Sequence, residues 1–444
     1  MSLYSGVLEN RLLPWYYKTR GRAYGERRAF LEGSQWWSRE RLLEFQWAEL
    51  RKLLTHVYAS VPYYRKKYAA AGIALEDIRT FEDFSRLPPL TREEVNTCGA
   101  ELLSAGYSGK KISHATGGSS GVPTRFQISL ESYDWRLAAS ARAYSWSGSR
   151  VGEKTLYLWG AAVGKVSRYK AWKLAAYRFL RRDLVFSTFQ QTDDLWSRVL
   201  EGIHRFRPRY VVGYVSSLEE FGRYLLAKNL RLDGIEAVVA AAEPVFDPTR
   251  ELVRAAYGAP LFNTYGSREF MSIAGECEQH NGLHIHAENI VLETAGPGPA
   301  EFRVTDLHNY AMPFVRYEIG DVGMLSDRAC PCGRGLPLVE NIEGRLLDAL
   351  RTRDGRVVPG EWFPHVMKDI PEVREFQVEQ KSLEEIRVYT VLSAPLSERS
   401  RDLIGTEIAK VFGTDAAIRL QAVDSIPKRP SGKRRVTIGL PQPR

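Results

Sequence analysis

From residue 36 to 73, WWSRERLLEFQWAELRKLLTHVYASVPYYRKKYAAAGI, apolar positions return at helical spacing and the run closes on Ala-Ala-Gly. That period predicts mostly helix, with its aromatic side chains in the core. In LPPLTREEV, Thr91 stands ahead of Glu93 and Glu94 as a helix cap does. KKISHA at 110–115 and TRFQIS at 124–129 read as short strands, and LESYDWRLAASARAYSWSG as a helix closed by Gly148. TLYLWG at 155, RYVVGYV at 209, EAVVAAAEP at 236 and PLFNTYG at 260 are apolar strand candidates separated by helical stretches such as SSLEEFGRYLLAKNL. Strands alternating with helices predict an α/β layer built on a largely parallel sheet. Beyond 280 the pattern changes: HIHAENIVLET, EFRVTDL and FVRYEIGDVGML alternate between Gly/Pro turns, which predicts an antiparallel or barrel-like piece. A smaller α+β unit begins at 344, where EVREFQVE and EEIRVYTVL suit a hairpin, SERSRDLIGTEIAKVFG a helix and AAIRLQAV a further strand. The expected organisation is a large domain over 1–343 and a small one over 344–444.

Length and composition narrow the function classes. At 444 residues, 44% hydrophobic and 26% charged, the chain can bury a large core in more than one domain. Its start has no apolar run with a small-residue cleavage site, and no uncharged apolar stretch reaches about 18 residues, so no membrane span and a cytoplasmic address are expected. Four cysteines are too few for a disulfide scaffold. The net charge of +9 suits an anionic ligand such as a nucleotide, coenzyme A or nucleic acid without choosing among them.

Residues 114–126, HATGGSSGVPTRF, join two expected strands. Free backbone amides and hydroxyl donors suit phosphate, and a plain flexible turn is the other reading. A Walker loop is excluded because Gly121 is followed by Val122 and Pro123, and a dinucleotide loop because TRFQIS is extended. Cys277, His284, Cys330 and Cys332 offer the thiolates and imidazole that zinc favours, with His280 or His286 as substitutes for His284 and reduced thiols as the alternative. In a regular strand Cys330 and Cys332 would stand too far apart to chelate, so Pro331 and Gly333 must bend them into a knuckle. Five of the eleven residues from Ser425 to Arg435 are basic, which by composition is a solvated or polyanion-binding patch.

Six segments stand in one order: TGGSSGVPT at 116, AAEP at 241, YGSRE at 265, GD at 320, GR at 344 and PKRPSGK at 427. In that order they resemble the signature series of the acyl-adenylate-forming superfamily. SVPYYRKKYAAAGI, LPPLTREEV, GLHI, MPFVRYEIGDVG and CPCGRGLP resemble markers of its phenylacetate–coenzyme A ligase group, which includes capsule-biosynthesis and deazaflavin-coenzyme adenylyltransferase relatives. The likeness runs from about residue 45 to 435. It implies the adenylate-forming fold, with a mobile C-terminal domain.

Activating a carboxylate with ATP requires its oxygen to attack the α-phosphate as pyrophosphate leaves, so the site must hold two anions and absorb growing charge. The resemblance implies that Thr116, Gly117, Gly118, Ser119, Ser120, Gly121 and Thr124 cradle the phosphates, and that Glu269 is the Mg²⁺ ligand. It places adenine between Tyr265, with Gly266 and Ser267 following, and the Ala242-Glu243-Pro244 turn. Asp321 would accept hydrogen bonds from the ribose hydroxyls and Arg345 would lie near ribose or phosphates. Asp348 would mark the hinge, and Lys433 would reach between carboxylate and α-phosphate. Arg268 departs from the pattern, since most adenylating enzymes have Thr before the metal-binding Glu; it would bind the α-phosphate or an acidic substrate. By position Trp159, Tyr214, Ala241, Phe270 and Met271 line the acyl pocket or belong to ordinary core. The likeness also favours a structural zinc at the Cys/His set.

The leading expectation is an ATP- and Mg²⁺-dependent enzyme that makes an acyl-adenylate from a small carboxylic acid and passes the acyl group to coenzyme A. The runner-up keeps the first step and transfers acyl to an amine, or AMP itself, without a thioester. A basic nucleic-acid-binding protein ranks last, because zinc-finger spacing, RNA-binding aromatic motifs and a helix-turn-helix are missing. The expected partners are therefore small molecules and no nucleic acid, and a homodimer is compatible with the sequence.

Overall fold

The computed structural model describes every residue except 1, 116–123, 160–167, 189–191, 297, 346–349, 354–356, 359–361, 368–369, 414, 428–436 and 441–444. Two compact units divide it. The first comprises Met1–Ala295, Phe302–Ile319 and Met324–Asn341, and the second Gly296–Glu301, Gly320–Gly323 and Ile342–Arg444.

The large sheet has eleven strands. Its parallel half runs Asp183–Ser187, Thr155–Trp159, Tyr210–Tyr214, Ala237–Ala241, Leu261–Ser267 in spatial order. The four strands expected from sequence are adjacent and parallel; Asp183–Ser187 at the edge was not foreseen. Helices Asp193–Phe206, Val215–Ala227 and Asp247–Tyr257 cover one face, where Val199, Ile203, Leu218, Phe221, Val253 and Tyr257 meet Leu156, Val211 and Val238 in a closed core. Each such side chain contributes about 1.5–3 kcal/mol by leaving water. On the other face Tyr210, Val212, Val239 and Phe262 form a second cluster, against which Tyr144, Tyr157 and Trp159 pack.

The antiparallel strands do not form a sheet of their own. Met271–Glu276 pairs antiparallel with Leu261–Ser267, and the order continues through Leu283–Ile285, Leu338–Arg345, Tyr317–Ser326, Ala300–Asp306 and Ile290–Thr294. HIHAENIVLET therefore splits, because His286–Asn289 turns between Leu283–Ile285 and Ile290–Thr294.

The long amphipathic run breaks at Val61: helix Arg39–Ser60 ends there and Pro62 begins helix Pro62–Ala70. Proline has no amide to continue the first helix but suits the first turn of a new one. The cap read at Thr91 is present, with Oγ1 accepting from the Glu94 amide at 3.2 Å and the Glu94 carboxylate accepting from the Thr91 amide at 2.7 Å. N-terminal helical segments at Leu3–Lys18 and Tyr24–Ser34 precede it, unread in the sequence.

In the second unit Val373–Gln380 and Glu385–Leu392 form the expected hairpin. Ala417–Ala422 and Thr437–Ile438 add parallel strands on its two sides. Helix Glu398–Phe412 lays Ile404, Ile408 and Phe412 on Val378, Ile386 and Val388.

Candidate functional site

Strands Lys111–Ala115 and Arg125–Ser129 pair antiparallel, with Ala115 opposite Arg125, so the glycine-rich segment leaves from and returns to one point. Thr124 is buried at that point. Thr116, Gly117, Gly118, Ser119, Ser120 and Gly121 lie outside the described residues. The hairpin base is pinned to the segment before Tyr317: the Ser129 amide donates to Asn309 Oδ1 at 2.9 Å, and Asn309 Nδ2 donates to the carbonyls of Gln127 and Met312 at 3.0 and 2.8 Å. Aromatic contacts continue inward from Phe126 to Phe314 and from Phe314 to Phe270 and Tyr317.

The turn after Leu261–Ser267 carries the YGSRE residues. A register shift falls between Tyr265 and Gly266, and a Cβ on Gly266 would meet the Met271 carbonyl oxygen at 1.9 Å, so no side chain fits there. Met271 takes a left-handed φ of 60°, and Ser267 Oγ accepts from the Phe270 amide at 3.3 Å, closing the turn. Tyr265 is buried with its ring 5.8 Å from Phe302.

The turn presents Glu269 to the inside, 4% exposed. Its Oε1 lies 3.4 Å from Arg92 Nη2 and 3.4 Å from the Tyr317 hydroxyl. Burial, then the Glu269 charge, push Tyr317 up to about 12, so it remains a neutral donor. The Glu269 backbone is fixed from below, because Arg136 donates to its carbonyl and pairs with Asp306, both fully enclosed. Ser132 Oγ donates to the same Asp306 oxygen at 2.8 Å. Burial alone would raise the Asp306 carboxyl, but Arg136 beside it holds it below the ordinary range. Burial first, then the charges of Arg268 and Arg136, lower His114 in the hairpin strand Lys111–Ala115. Arg92, Arg136, Asp306 and Tyr317 were missed as site residues. Arg92 and Tyr317 did lie inside quoted family markers, LPPLTREEV and MPFVRYEIGDVG, and that was the available signal.

Four adjacent parallel strands end beside this turn, at Trp159, Tyr214, Ala241 and Thr264–Ser267. The strand at 155 has its successor, Asp183–Ser187, on one side and the next, Tyr210–Tyr214, on the other. Chain order thus reverses between Trp159 and Tyr214, and open α/β sheets bind ligands at such a reversal, outside the carboxyl ends of the strands. The Trp159 and Tyr214 rings lie there 4.5 Å apart, inclined by 30°. Ala242 follows in a left-handed φ of 68°, and the Glu243 carboxylate accepts from the Ser216 amide at 2.7 Å and its hydroxyl at 3.2 Å. Glu243 therefore caps helix Val215–Ala227 and holds the Ala242-Glu243-Pro244 turn in place.

Asp321 is buried in Tyr317–Ser326 after Gly320, whose φ is +78°, and belongs to the second unit. Arg345 ends Leu338–Arg345. Asp348 and Lys433 lie outside the described residues.

A second cluster is built differently. One ligand atom from each of Cys277, His284, Cys330 and Cys332 lies within 4.8 Å of the others. Cys277 and Cys330 sulfurs are 3.7 Å apart, and Cys332 Sγ is 3.3 Å from His284 Nε2. A disulfide needs about 2.05 Å; a zinc tetrahedron with bonds of about 2.3 Å to sulfur and 2.0 Å to nitrogen has edges of about 3.5–3.8 Å. The donor set and spacing fit zinc, which would be held by protein on all four sides. The expected knuckle is formed, with Gly333 at φ +84° and its amide donating to the Cys330 carbonyl at 3.2 Å. Amides of Gln279 and Arg334 point at Cys277 and Cys332 sulfurs from 3.5 and 3.4 Å, an arrangement that favours thiolates. Burial pushes the Cys277 thiol up and lowers His284 to about 4, so the imidazole is neutral, as a ligand must be. His286 is engaged by Arg142 Nη2 and Ser272 Oγ, both at 3.0 Å, and His280 faces Glu276 at 3.3 Å. The geometry thus favours His284 over both substitutes.

A parallel sheet continued by antiparallel strands, a separate two-stranded hairpin and a small α+β unit are the fold of the adenylate-forming ligases. A structure of 2-hydroxyisobutyryl-CoA ligase in complex with 2-HIB-AMP matches it with a TM-score of 0.69, covering 88% of both chains at 22% identity. Residues 350–439 match the model of the CapK C-terminal domain. The chain is 27% identical over 411 residues to phenylacetate-coenzyme A ligase of Thermus thermophilus (87% of this chain, 88% of the relative) and 22% identical over 412 residues to protein CapK of Staphylococcus aureus (89% of each). Along most of its length the sequence is similar to phenylacetate-coenzyme A ligases and to CapK, and the fold is that of the adenylate-forming ligases.

Proposed function

We propose that the chain activates a small carboxylic acid with ATP and passes the acyl group to coenzyme A. The observation that carries this reading is the burial of Glu269 on a turn pinned by Arg136 and Asp306, beside the hairpin base and the carboxyl ends of four parallel strands. The substrate carboxylate attacks the α-phosphorus, forming a carboxyl–phosphate bond as pyrophosphate leaves with the displaced electron pair. The thiol of coenzyme A, losing its proton, then attacks the acyl carbon and releases AMP. Glu269, a hard oxygen donor, would hold Mg²⁺, which supplies charge neutralisation to the phosphates when bound. The glycine and hydroxyl residues from Thr116 to Thr124 would grip the phosphates, with Arg268 facing the same charge. Tyr265, Gly266, Ser267 and the Ala242–Pro244 turn would hold the adenosine, Asp321 the ribose and Arg345 the ribose or phosphates. Trp159, Tyr214, Ala241, Phe270 and Met271 would receive the acid in an aromatic-rich slot.

Residues 1–343 act in this reading as the adenylation domain, and 344–444 as a small domain that turns about Asp348 to bring Lys433 in and out. The relatives named as acid–coenzyme A ligases support coenzyme A as the acceptor. The CapK-type match at 350–439 is the observation favouring the second reading, in which the acyl group goes to an amine or AMP is itself transferred.

Pyrophosphate release from ATP that depends on an added carboxylic acid is the expected activity. A further product formed only with coenzyme A selects the first reading over the second. Lys433→Ala should abolish adenylation and spare thioester formation from a supplied acyl-adenylate. ATP chemistry indifferent to every acid in a broad screen would defeat both readings.

A further inference from the structure

Twelve of the eighteen exposed large hydrophobic side chains among the described residues fall in two short segments, six in 3–16 and six in 169–180. Phe179 is 83% exposed, Trp172 70% and Trp15 65%. The segments adjoin, since the Tyr4 hydroxyl donates to the Leu180 carbonyl at 2.6 Å and the Arg182 guanidinium lies over the Tyr4 ring. Helix Arg168–Arg181 is exposed at every position from Ala171 to Ala175, so little of the protein covers that stretch. Soluble surfaces rarely carry so much contiguous apolar area without a partner.

Charge says which partner. From 168 to 182 the sequence has six basic residues and no acidic one. From 1 to 22 it has four basic residues and one acidic, Glu9, which is fully buried and paired with Arg28 at 3.1 Å. Exposed Lys18, Arg20 and Lys173 therefore meet no compensating carboxylate within their own segments. Aromatic and aliphatic side chains interleaved with lysine and arginine are the composition of helices that lie in a bilayer interface, with rings at headgroup depth and cations on anionic lipid. A second copy of the chain is a poor occupant, because a twofold contact would set this basic surface against itself. A nucleic acid would use the rings and cations but leave the aliphatic chains of Leu3, Leu12 and Leu174 unburied. No helix among the described residues is long and apolar enough to cross a membrane, so the contact is peripheral.

We propose that the helical segments at 3–18 and 168–181 form a docking face for an anionic phospholipid surface. The face is joined to the proposed acid slot by the eight residues 160–167 that follow Trp159.

Co-sedimentation of the full chain with vesicles of phosphatidylcholine alone, and with about one quarter phosphatidylglycerol, tests it. Binding is expected to the anionic vesicles only, weakened at least about tenfold in 0.5 M salt, where charge is screened within about 4 Å. Trp172→Ser with Phe179→Ser, and separately Lys173→Glu with Arg178→Glu, should each reduce it by about tenfold or more with thermal melting unchanged. Equal binding to both vesicle types, no binding to either, or binding unaffected by both pairs of substitutions overturns the proposal. So does a concentration-dependent dimer, or retention of single-stranded RNA, that the same substitutions abolish while vesicles are ignored.

Discussion

The Cys277–His284–Cys330–Cys332 cluster and the Ser267–Met271 turn both gather atoms able to hold a cation, yet they are made in opposite ways. In the cluster the protein supplies four donors already gathered within 4.8 Å of one another, and backbone amides sit behind two of the sulfurs. At the turn it supplies one carboxylate, whose neighbours Arg92 and Tyr317 stand off at 3.4 Å, well beyond the 2.7–2.9 Å of a tight charge-assisted bond. What is rigid there is the backbone beneath, gripped by Arg136 and Asp306. A closed donor set suits a permanent structural ion. A single carboxylate on a fixed backbone is, in the proposed function, what an ion carried in by the nucleotide would need.

The contrast can be broken at either end. Removing a cluster ligand should have the largest effect on stability, since zinc bound to such sets is worth about 10 kcal/mol or more in small peptides. Cys332→Ala, or prolonged chelation, is expected to eliminate bound zinc by elemental analysis and cost several kcal/mol in denaturant unfolding. If purified protein holds no zinc and chelator leaves its melting unchanged, the cluster is a set of packed thiols.

Glu269→Ala should do the reverse. Acid-dependent pyrophosphate release is expected to fall by about 10²–10³, the usual loss when one electrostatic stabiliser is removed, and to need more Mg²⁺ for half-saturation. Denaturant midpoints should scarcely move, because Arg92 keeps partial access to solvent. An Ala variant with full activity at low Mg²⁺ would remove Glu269 from the metal's ligands.

The smallest effect concerns pH. Each region leans on a buried arginine–carboxylate pair, Arg136–Asp306 under the turn and Arg142–Glu288 beside His286. Burial alone would raise both carboxyls, yet each is held below its ordinary value by its arginine. Because the folded values are depressed, their contribution is complete above the unfolded carboxylate range, about 4, and is lost as pH falls through the folded values. Stability should therefore drop below about pH 4 by up to about 1.4 kcal/mol per pH unit for each pair. A urea-melt series on Glu288→Gln, destabilised at neutral pH, should show a shallower acid slope than the parent; an identical slope would contradict the assignment.

Much of this was legible in the chain. The alternation of apolar strands with helices was clear because the central parallel strands Tyr210–Tyr214 and Ala237–Ala241 are buried on both faces and the helices over them on one, so the period survives in the sequence. The knuckle at Cys330–Gly333 was legible because proline and glycine leave few backbone choices. Helix Arg168–Arg181 and strand Asp183–Ser187 were not read, although Tyr169, Trp172, Ala176 and Phe179 recur at helical spacing; the strand's short apolar run LVF is flanked by Asp183 and Ser187 at the edge of the sheet. Arg136 and Asp306 were equally silent: a charged residue within a helix or strand reads as solvated until its partner, 170 positions away, is seen to enclose it.

By itself the sequence determined the order of elements, the glycine and hydroxyl segment between two strands, the donor types at the Cys/His set and the family likeness. These follow from local steric preference, residue period and side-chain chemistry, all carried by neighbours in the chain. Tertiary structure alone decided that His284 and not His280 or His286 joins the cysteines, that Glu243 caps a helix, and that Arg92 and Tyr317 face Glu269. Such pairings depend on which distant strands become adjacent and at what register, and in a sheet a shift of one residue sends every side chain to the opposite face.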